Sequence, residues 1–167
     1  LDEALIQVEK ESNVDALYLV DSFGALYSEQ VSHLAKKYKS LMPTKEIGIH
    51  AHNNQQLAFA NTIEAIIQNV NFLDGTIFGI GRAAGNCPLE LLLGFLKNPK
   101  YDLRPILEIL ESHFVKLKDE IEWGYTIPYM ITGILDLHPR AGMKLRKSDN
   151  KDDYIGFFDS LAQSDSA

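Results

Sequence analysis

Apolar and polar positions alternate along this chain in two rhythms, and the switches between them lay out its elements. Residues 15–21, Asp-Ala-Leu-Tyr-Leu-Val-Asp, form a short apolar run closed by a carboxylate at each end, which predicts a strand buried on both faces. Val31, Leu34, Ala35 and Tyr38 then recur at i, i+3, i+4 and i+7. That stripe predicts a helix with Ser28 as its cap and lysines near its end, where the dipole favours positive charge. After a turn containing Pro43, a second strand is expected through Gly48-Ile49-His50-Ala51-His52-Asn53. Leu57, Ala60, Ile63, Ile67 and Val70 predict a helix over 55–69, and a third strand is expected over 71–78. Residues 79–86 read as a glycine-containing loop, and Pro88 suits the first position of a helix ending near Leu96.

Strand and helix thus alternate three times with short connections, the pattern of parallel βαβ units. Such sheets are either open and doubly wound or closed into barrels. In a (β/α)8 barrel the active site lies at the carboxyl ends of the strands, where Asp21, His50, His52 and the glycine loop all fall. That coincidence favours a barrel, and because a whole one takes about 250 residues, three units are less than half of it.

Composition narrows the function classes. The chain's 167 residues, 46% hydrophobic and 23% charged, are ordinary globular usage for one domain. Its 23 acidic against 16 basic residues, a formal net charge of −7, argue against a nucleic-acid surface, which needs clustered Lys and Arg. One cysteine, Cys87, excludes an internal disulfide and suits a reducing cytoplasm. No apolar run approaches the roughly 20 residues that cross a bilayer, so no membrane partner is expected, and no signal peptide is visible. Leu1, Leu5 and Val8 are at helical spacing, so the chain opens inside a helix and without Met, as a piece cut from something larger would.

The histidine strand carries the chemistry. Successive strand side chains point to opposite faces, so His50 and His52 share one face while Ile47, Ile49 and Ala51 share the other. Two neutral imidazoles on one face can hold one metal ion, with oxygen ligands nearby and positions left for substrate. The same spacing also suits half-buried polar residues with backbone partners, so the pair alone leaves both readings open. The loop's Gly79-x-Gly81-x-x-x-Gly85 spacing is not a dinucleotide fingerprint; it allows a tight turn and close backbone approach to a ligand.

Several motifs in order are more specific than any one. Asp21-Ser22-Phe23-Gly24, Gly48-Ile-His-Ala-His-Asn-Asn54 with Ala60-Asn61, Leu73-Asp-Gly-Thr76 and Gly79-Ile-Gly-Arg-Ala-Ala-Gly-Asn-Cys-Pro-Leu-Glu90 resemble the carboxyl-terminal half of the catalytic barrel of DRE-TIM metallolyases. That superfamily includes hydroxymethylglutaryl-CoA lyase, isopropylmalate synthase and 4-hydroxy-2-oxovalerate aldolase, and the pattern is most similar to the aldolase branch over roughly residues 13–97. The resemblance implies an α/β fold: the last three strand-helix units of a (β/α)8 TIM barrel over 1–98, a helical extension over 99–146 and a polar tail over 147–167. It implies His50 and His52 as ligands of a divalent cation, Mn or Mg, with Asn86 approaching it as in the lyase branch. Asp21, Ser22, Gly79 and Gly81 would lie around the substrate. Gly124-Tyr-Thr-Ile-Pro-Tyr129 matches a segment whose tyrosine acts near the substrate, which makes Tyr129 a candidate proton donor.

Each of these residues also has a plainer reading. Asn86 would order the loop before Pro88, and Tyr129 would pack as an aromatic at a helix start. His138-Pro139-Arg140 and Lys144, Arg146 and Lys147 would meet an anionic substrate or simply form a solvated face. His33 and His113 read as surface or boundary residues, and Cys87 as a buried or capping residue.

The implied activity is a carbon–carbon lyase that cleaves a 4-hydroxy-2-oxo acid to pyruvate and an aldehyde through a metal-stabilised enolate, with a small 2-oxo acid as substrate and an aldehyde dehydrogenase as a partner. Acyl-CoA condensation, hydroxymethylglutaryl-CoA cleavage and a non-catalytic metal-binding or regulatory half-barrel stay open beside it. The family's remaining metal ligand, an aspartate, and its catalytic arginine belong to an Arg-Asp motif on the first barrel strand, which has no counterpart upstream of the histidine strand here. The open edges of a partial barrel need covering, so the expected partner is the missing amino-terminal half or a second copy.

Overall fold

The computed structural model describes residues 1–164. Helix α1 (Asp2–Lys10) leads into β1 (Ala16–Asp21), α2 (Ser28–Leu41), β2 (Glu46–Ala51), α3 (Ala58–Ile67) and β3 (Phe72–Leu73). A 3-10 turn at Ile77–Gly79 and the glycine loop precede α4 (Leu89–Leu96). A helical segment follows: α5 (Arg104–Ile109), a π turn at Leu110–Phe114, α6 (Val115–Glu120), α7 (Ile127–Ile134), α8 (Arg140–Arg146) and α9 (Tyr154–Ser164). The three strands are parallel in the order β1-β2-β3, with Ala16 opposite Glu46 and Asp21 opposite Ala51. The alternating α/β reading with a parallel sheet therefore holds.

Period-two geometry gives the sheet two unlike faces. Leu19, Ile47, Ile49 and Ala51 are buried, and with Val31, Ala35, Ala58 and Ala65 of α2 and α3 they form the main core, joined by Leu5 of α1 and by Cys87. Tyr18, Val20, Gly48, His50 and Phe72 belong to the opposite face. There Val20 is 47% and Phe72 45% exposed, and Tyr18 lies over Gly48, stacked on Phe72 with centroids 6.3 Å apart. A Cβ on Gly48 would sit 2.5 Å from the Tyr18 ring, so glycine is what lets the aromatic cross the strand.

Several boundaries differ from those the sequence suggests. The third strand is two residues long rather than eight: its ladder to β2 stops at Leu73, and the chain turns away into the 3-10 turn at Ile77–Gly79. Ser28 lies inside α2; the cap is Tyr27, whose N–H donates to Gln30 Oε1 at 2.9 Å. Helix α3 begins at Ala58 because Asn53 Oδ1 accepts the Ala58 N–H, holding residues 53–57 in a turn. Pro88 is the cap of α4 rather than its first residue. The tail read as polar carries α9. Among the described residues no helix is long and apolar enough to cross a membrane.

Candidate metal centre

Four chain segments meet where the strands end. Asp21 closes β1, and its buried carboxylate accepts the N–H groups of Ala25 (3.0 Å) and Leu26 (3.3 Å), folding the loop that leads to α2. Burial raises its pKa, although the two amides pull against that shift. Its side chain is thus engaged within the loop, and its main-chain carbonyl reaches His52. Ser22, beside it, is exposed.

The two histidine rings lie together, centroids 4.9 Å apart and nearly perpendicular. His52 Nδ1 donates to the Asp21 carbonyl at 2.8 Å. A carbonyl can only accept, so the proton sits on Nδ1 and Nε2 keeps its lone pair. Burial lowers the His52 pKa, with the charges of His50 and Arg82 acting the same way, so the ring is neutral near pH 7. His50 Nδ1 lies 3.0 Å from Asp74 Oδ2, from the residue just beyond β3. Tyr18 faces the same carboxylate; burial first and then that charge raise its phenol pKa. Both imidazoles therefore have Nδ1 tied off and Nε2 available, the arrangement seen in histidines that ligate metals.

The glycine loop brings in Asn86. Residues His52 and Asn86 form an isolated antiparallel bridge, Asn53 N–H donates to Gly85 O at 2.9 Å, and Asn86 N–H donates to Gly79 O at 3.0 Å. The Asn86 side-chain amide donates to Ile80 O at 3.1 Å, which orients the group and leaves Oδ1 buried without a hydrogen-bond partner. A buried acceptor of this kind is costly unless something meets it. Glycine is required around it: a Cβ on Gly81 would lie 2.5 Å from Asn86 Nδ2, and one on Gly85, at φ +79°, would lie 2.1 Å from Gly79 O.

The donor set fits a divalent cation as far as it goes: two imidazole Nε2 atoms and one orphaned amide oxygen. Among the described residues no three His, Cys, Asp or Glu side chains gather as a complete cluster, so the set is partial. Tyr129, at the start of α7, packs on Ala83 and Ala84 of the glycine loop with Met143, and burial raises its phenol pKa. The helical segment is bound to the site through the turn after β2 as well: Gln55 Nε2 donates to Gly24, Ala25 and Gly133 carbonyls, and Asn54 to Tyr129 O. Of the basic run, Arg146 pairs with Glu122 and lies over the Tyr129 ring, so it is used internally. His138 rests edge-on against Phe23, Cys87 is fully buried, and His33 and His113 are exposed. Sequence reasoning missed Asp74 and Trp123. Asp74 lay within the quoted Leu73-Asp-Gly-Thr76 motif but is 24 residues from His50, and Trp123 belongs to no motif.

The HMGL-like family profile matches residues 3–112, well over half of the chain. A 4-hydroxy-2-oxovalerate aldolase of Thermus thermophilus is 38% identical over 127 residues, covering 69% of this chain and 37% of that protein. An oxaloacetate decarboxylase of Mycobacterium tuberculosis is 36% identical over 88 residues, covering 53% and 26%. Among solved structures, the N-terminal domain of a Bacteroides vulgatus protein named as an aldolase superposes with a TM-score of 0.73 at 34% identity, over 81% of this chain and 46% of that one. The HMG-CoA lyase of Bacillus subtilis shares the fold, with a TM-score of 0.60 at 21% identity over 72% and 43%. The chain spans roughly a third of the length of the curated relatives it matches. It belongs to the HMGL-like family.

Proposed function

We propose that this member of the HMGL-like family forms the metal-binding, carboxyl-terminal part of a TIM-barrel carbon–carbon lyase that cleaves a 4-hydroxy-2-oxo acid to pyruvate and an aldehyde. The observation that carries the reading is the histidine pair with both Nδ1 atoms tied off, beside an Asn86 oxygen that is buried and unpartnered. His50, His52 and Asn86 would hold the cation, Mn or Mg. When bound, it would supply Lewis acidity toward the oxygens of a 2-oxo acid.

The chain's own residues prepare that site. The Asp21 carbonyl and the Asp74 carboxylate fix the two rings, and burial keeps His52 neutral and able to donate its lone pair. Asp21 would act through the loop it folds rather than by touching substrate with its carboxylate, and Ser22, Gly79 and Gly81 would border the substrate. Tyr129, with a phenol held protonated, is the candidate donor for returning a proton to the product carbon. Cleavage also needs a base for the 4-hydroxyl and an acidic metal ligand, which the rest of a barrel would contribute. The exposed Val20 and Phe72 on the histidine face support a covering half, as a further segment or a second copy.

The test is product analysis on the complete polypeptide with Mn or Mg supplied. Aldehyde and pyruvate released in equal amounts from a 4-hydroxy-2-oxo acid, and lost in His52→Ala, are expected. Carbon dioxide without aldehyde would favour a second reading, a 2-oxo acid decarboxylase, for which the Mycobacterium tuberculosis relative speaks. Thiol release from an acyl-CoA would favour a condensing enzyme.

A further inference from the structure

We infer that the helical segment positions Asn86 through Trp123, which locks the strained entrance of the glycine loop; the metal consequence rests on the reading above. Trp123 is the chain's one tryptophan and is buried, in the connection between α6 and α7. Its Nε1–H donates to Phe78 O at 2.8 Å, and the two rings meet edge to face at 5.9 Å. Phe78 stands at φ 56°, ψ 23°, in the left-handed region that a bulky residue rarely enters. Such a conformation persists only when its surroundings over-determine it.

They do so here from three sides. The Phe78 N–H donates to Glu90 Oε2 at 3.0 Å from α4, its carbonyl accepts from Trp123, and the Lys118 ammonium lies 4.6 Å from its ring and 4.9 Å from that of Trp123. The next residue, Gly79, supplies the carbonyl that accepts the Asn86 N–H. Further along, Gly124 N–H donates to Ala83 O at 3.1 Å, so two adjacent residues of the helical segment grip the loop at its entrance and at its middle. The indole also packs at van der Waals distance over Gly85, whose own constraint is the Gly79 carbonyl that a Cβ would strike. Two left-handed residues other than glycine, Phe78 and Ala83, are thus each anchored by this one connection. A loop held merely by its own turns would not need an indole donor from a segment 45 residues away.

The experiment compares the complete wild-type polypeptide with Trp123→Phe, which keeps an aromatic ring but removes the donor, and with Leu5→Ala, a core truncation in α1 remote from the loop. The first readout needs no metal: hydrogen exchange of the Asn86 and Asn53 amides. Trp123→Phe should speed their exchange by about tenfold while Leu5→Ala changes it only in proportion to its loss of global stability. The second is Mn affinity from the electron paramagnetic resonance signal of the free ion, with His50→Ala/His52→Ala as the control. A roughly tenfold weakening in Trp123→Phe and none in Leu5→Ala is expected. Unchanged loop exchange in Trp123→Phe would overturn the inference. Unchanged Mn affinity in a wild type that binds the ion would also overturn it and leave the metal reading intact. Faster exchange in a protein that binds no Mn would overturn the metal reading and its consequence for Trp123, leaving the lock on the loop.

Discussion

The two faces of the sheet are made by the same three strands and differ in almost everything else. On one, Leu19, Ile47, Ile49 and Ala51 are closed off by α2 and α3, and the chain completes that core unaided. On the other, an exposed Val20, an exposed Phe72, a tyrosine lying over a glycine and two histidines share one surface. The first face explains why the chain folds, because continuous burial of branched apolar residues supplies the driving force. The second explains what the fold is for: polar groups stand at the strand ends where a core would exclude them. In a barrel that surface is interior, so its openness is the structural counterpart of the covering half proposed above.

The contrast can be broken most strongly on the closed side. Ile49→Ala removes a fully buried side chain from the middle of the core and should cost about 4 kcal/mol in chemical denaturation. Its neighbour on the open face behaves differently. Gly48→Ala places a Cβ against the Tyr18 ring, forcing the ring off the strand and off Phe72, at a cost of about 2 kcal/mol. A double-mutant cycle with Tyr18→Ala should show that most of this vanishes when the ring is already gone. Val20→Ala should cost less than about 1 kcal/mol in this chain, since the side chain is 47% exposed. The same substitution measured with the covering half present should cost more, and equal values would mean that nothing covers this face.

The smallest effect is a pH slope. Cys87 lies in the closed core, and burial pushes its thiol pKa up. Above about pH 8.5 the unfolded chain loses that proton while the folded chain keeps it, so folding stability declines as pH rises. Cys87→Ala should flatten the alkaline decline by a fraction of the total, the remainder coming from Tyr18, Tyr38 and Tyr129, whose phenols are also raised. The native thiol should resist alkylation at the same pH.

Periodicity made the closed face legible: the runs around Leu19 and Ile49 and the helical stripe of Val31 and Ala35 lie where the spacing places them. The histidine pair, the glycine loop and Asn86 were legible as a motif series. What the sequence hid depends on contacts between distant residues. Asp74 meets His50 because β3 pairs with β2, and no local pattern announces that pairing. Trp123 and Phe78 look like ordinary aromatics until the chain brings them together across 45 residues. The third strand ends early because its pairing with β2 stops at Leu73 and the chain turns, a tertiary feature that composition does not record. Asp21 differs in kind: its carboxylate accepts amides only four and five positions on and so folds its own loop, a local contact that the motif series did not announce.

The most direct measurement is the metal content of the purified complete polypeptide after growth with Mn and Mg, set beside the His50→Ala/His52→Ala double variant. One equivalent of divalent metal in the wild type and essentially none in a folded variant is the predicted result. A folded wild type carrying no metal, or a double variant that retains it, would contradict the assignment of the histidine face as a metal centre.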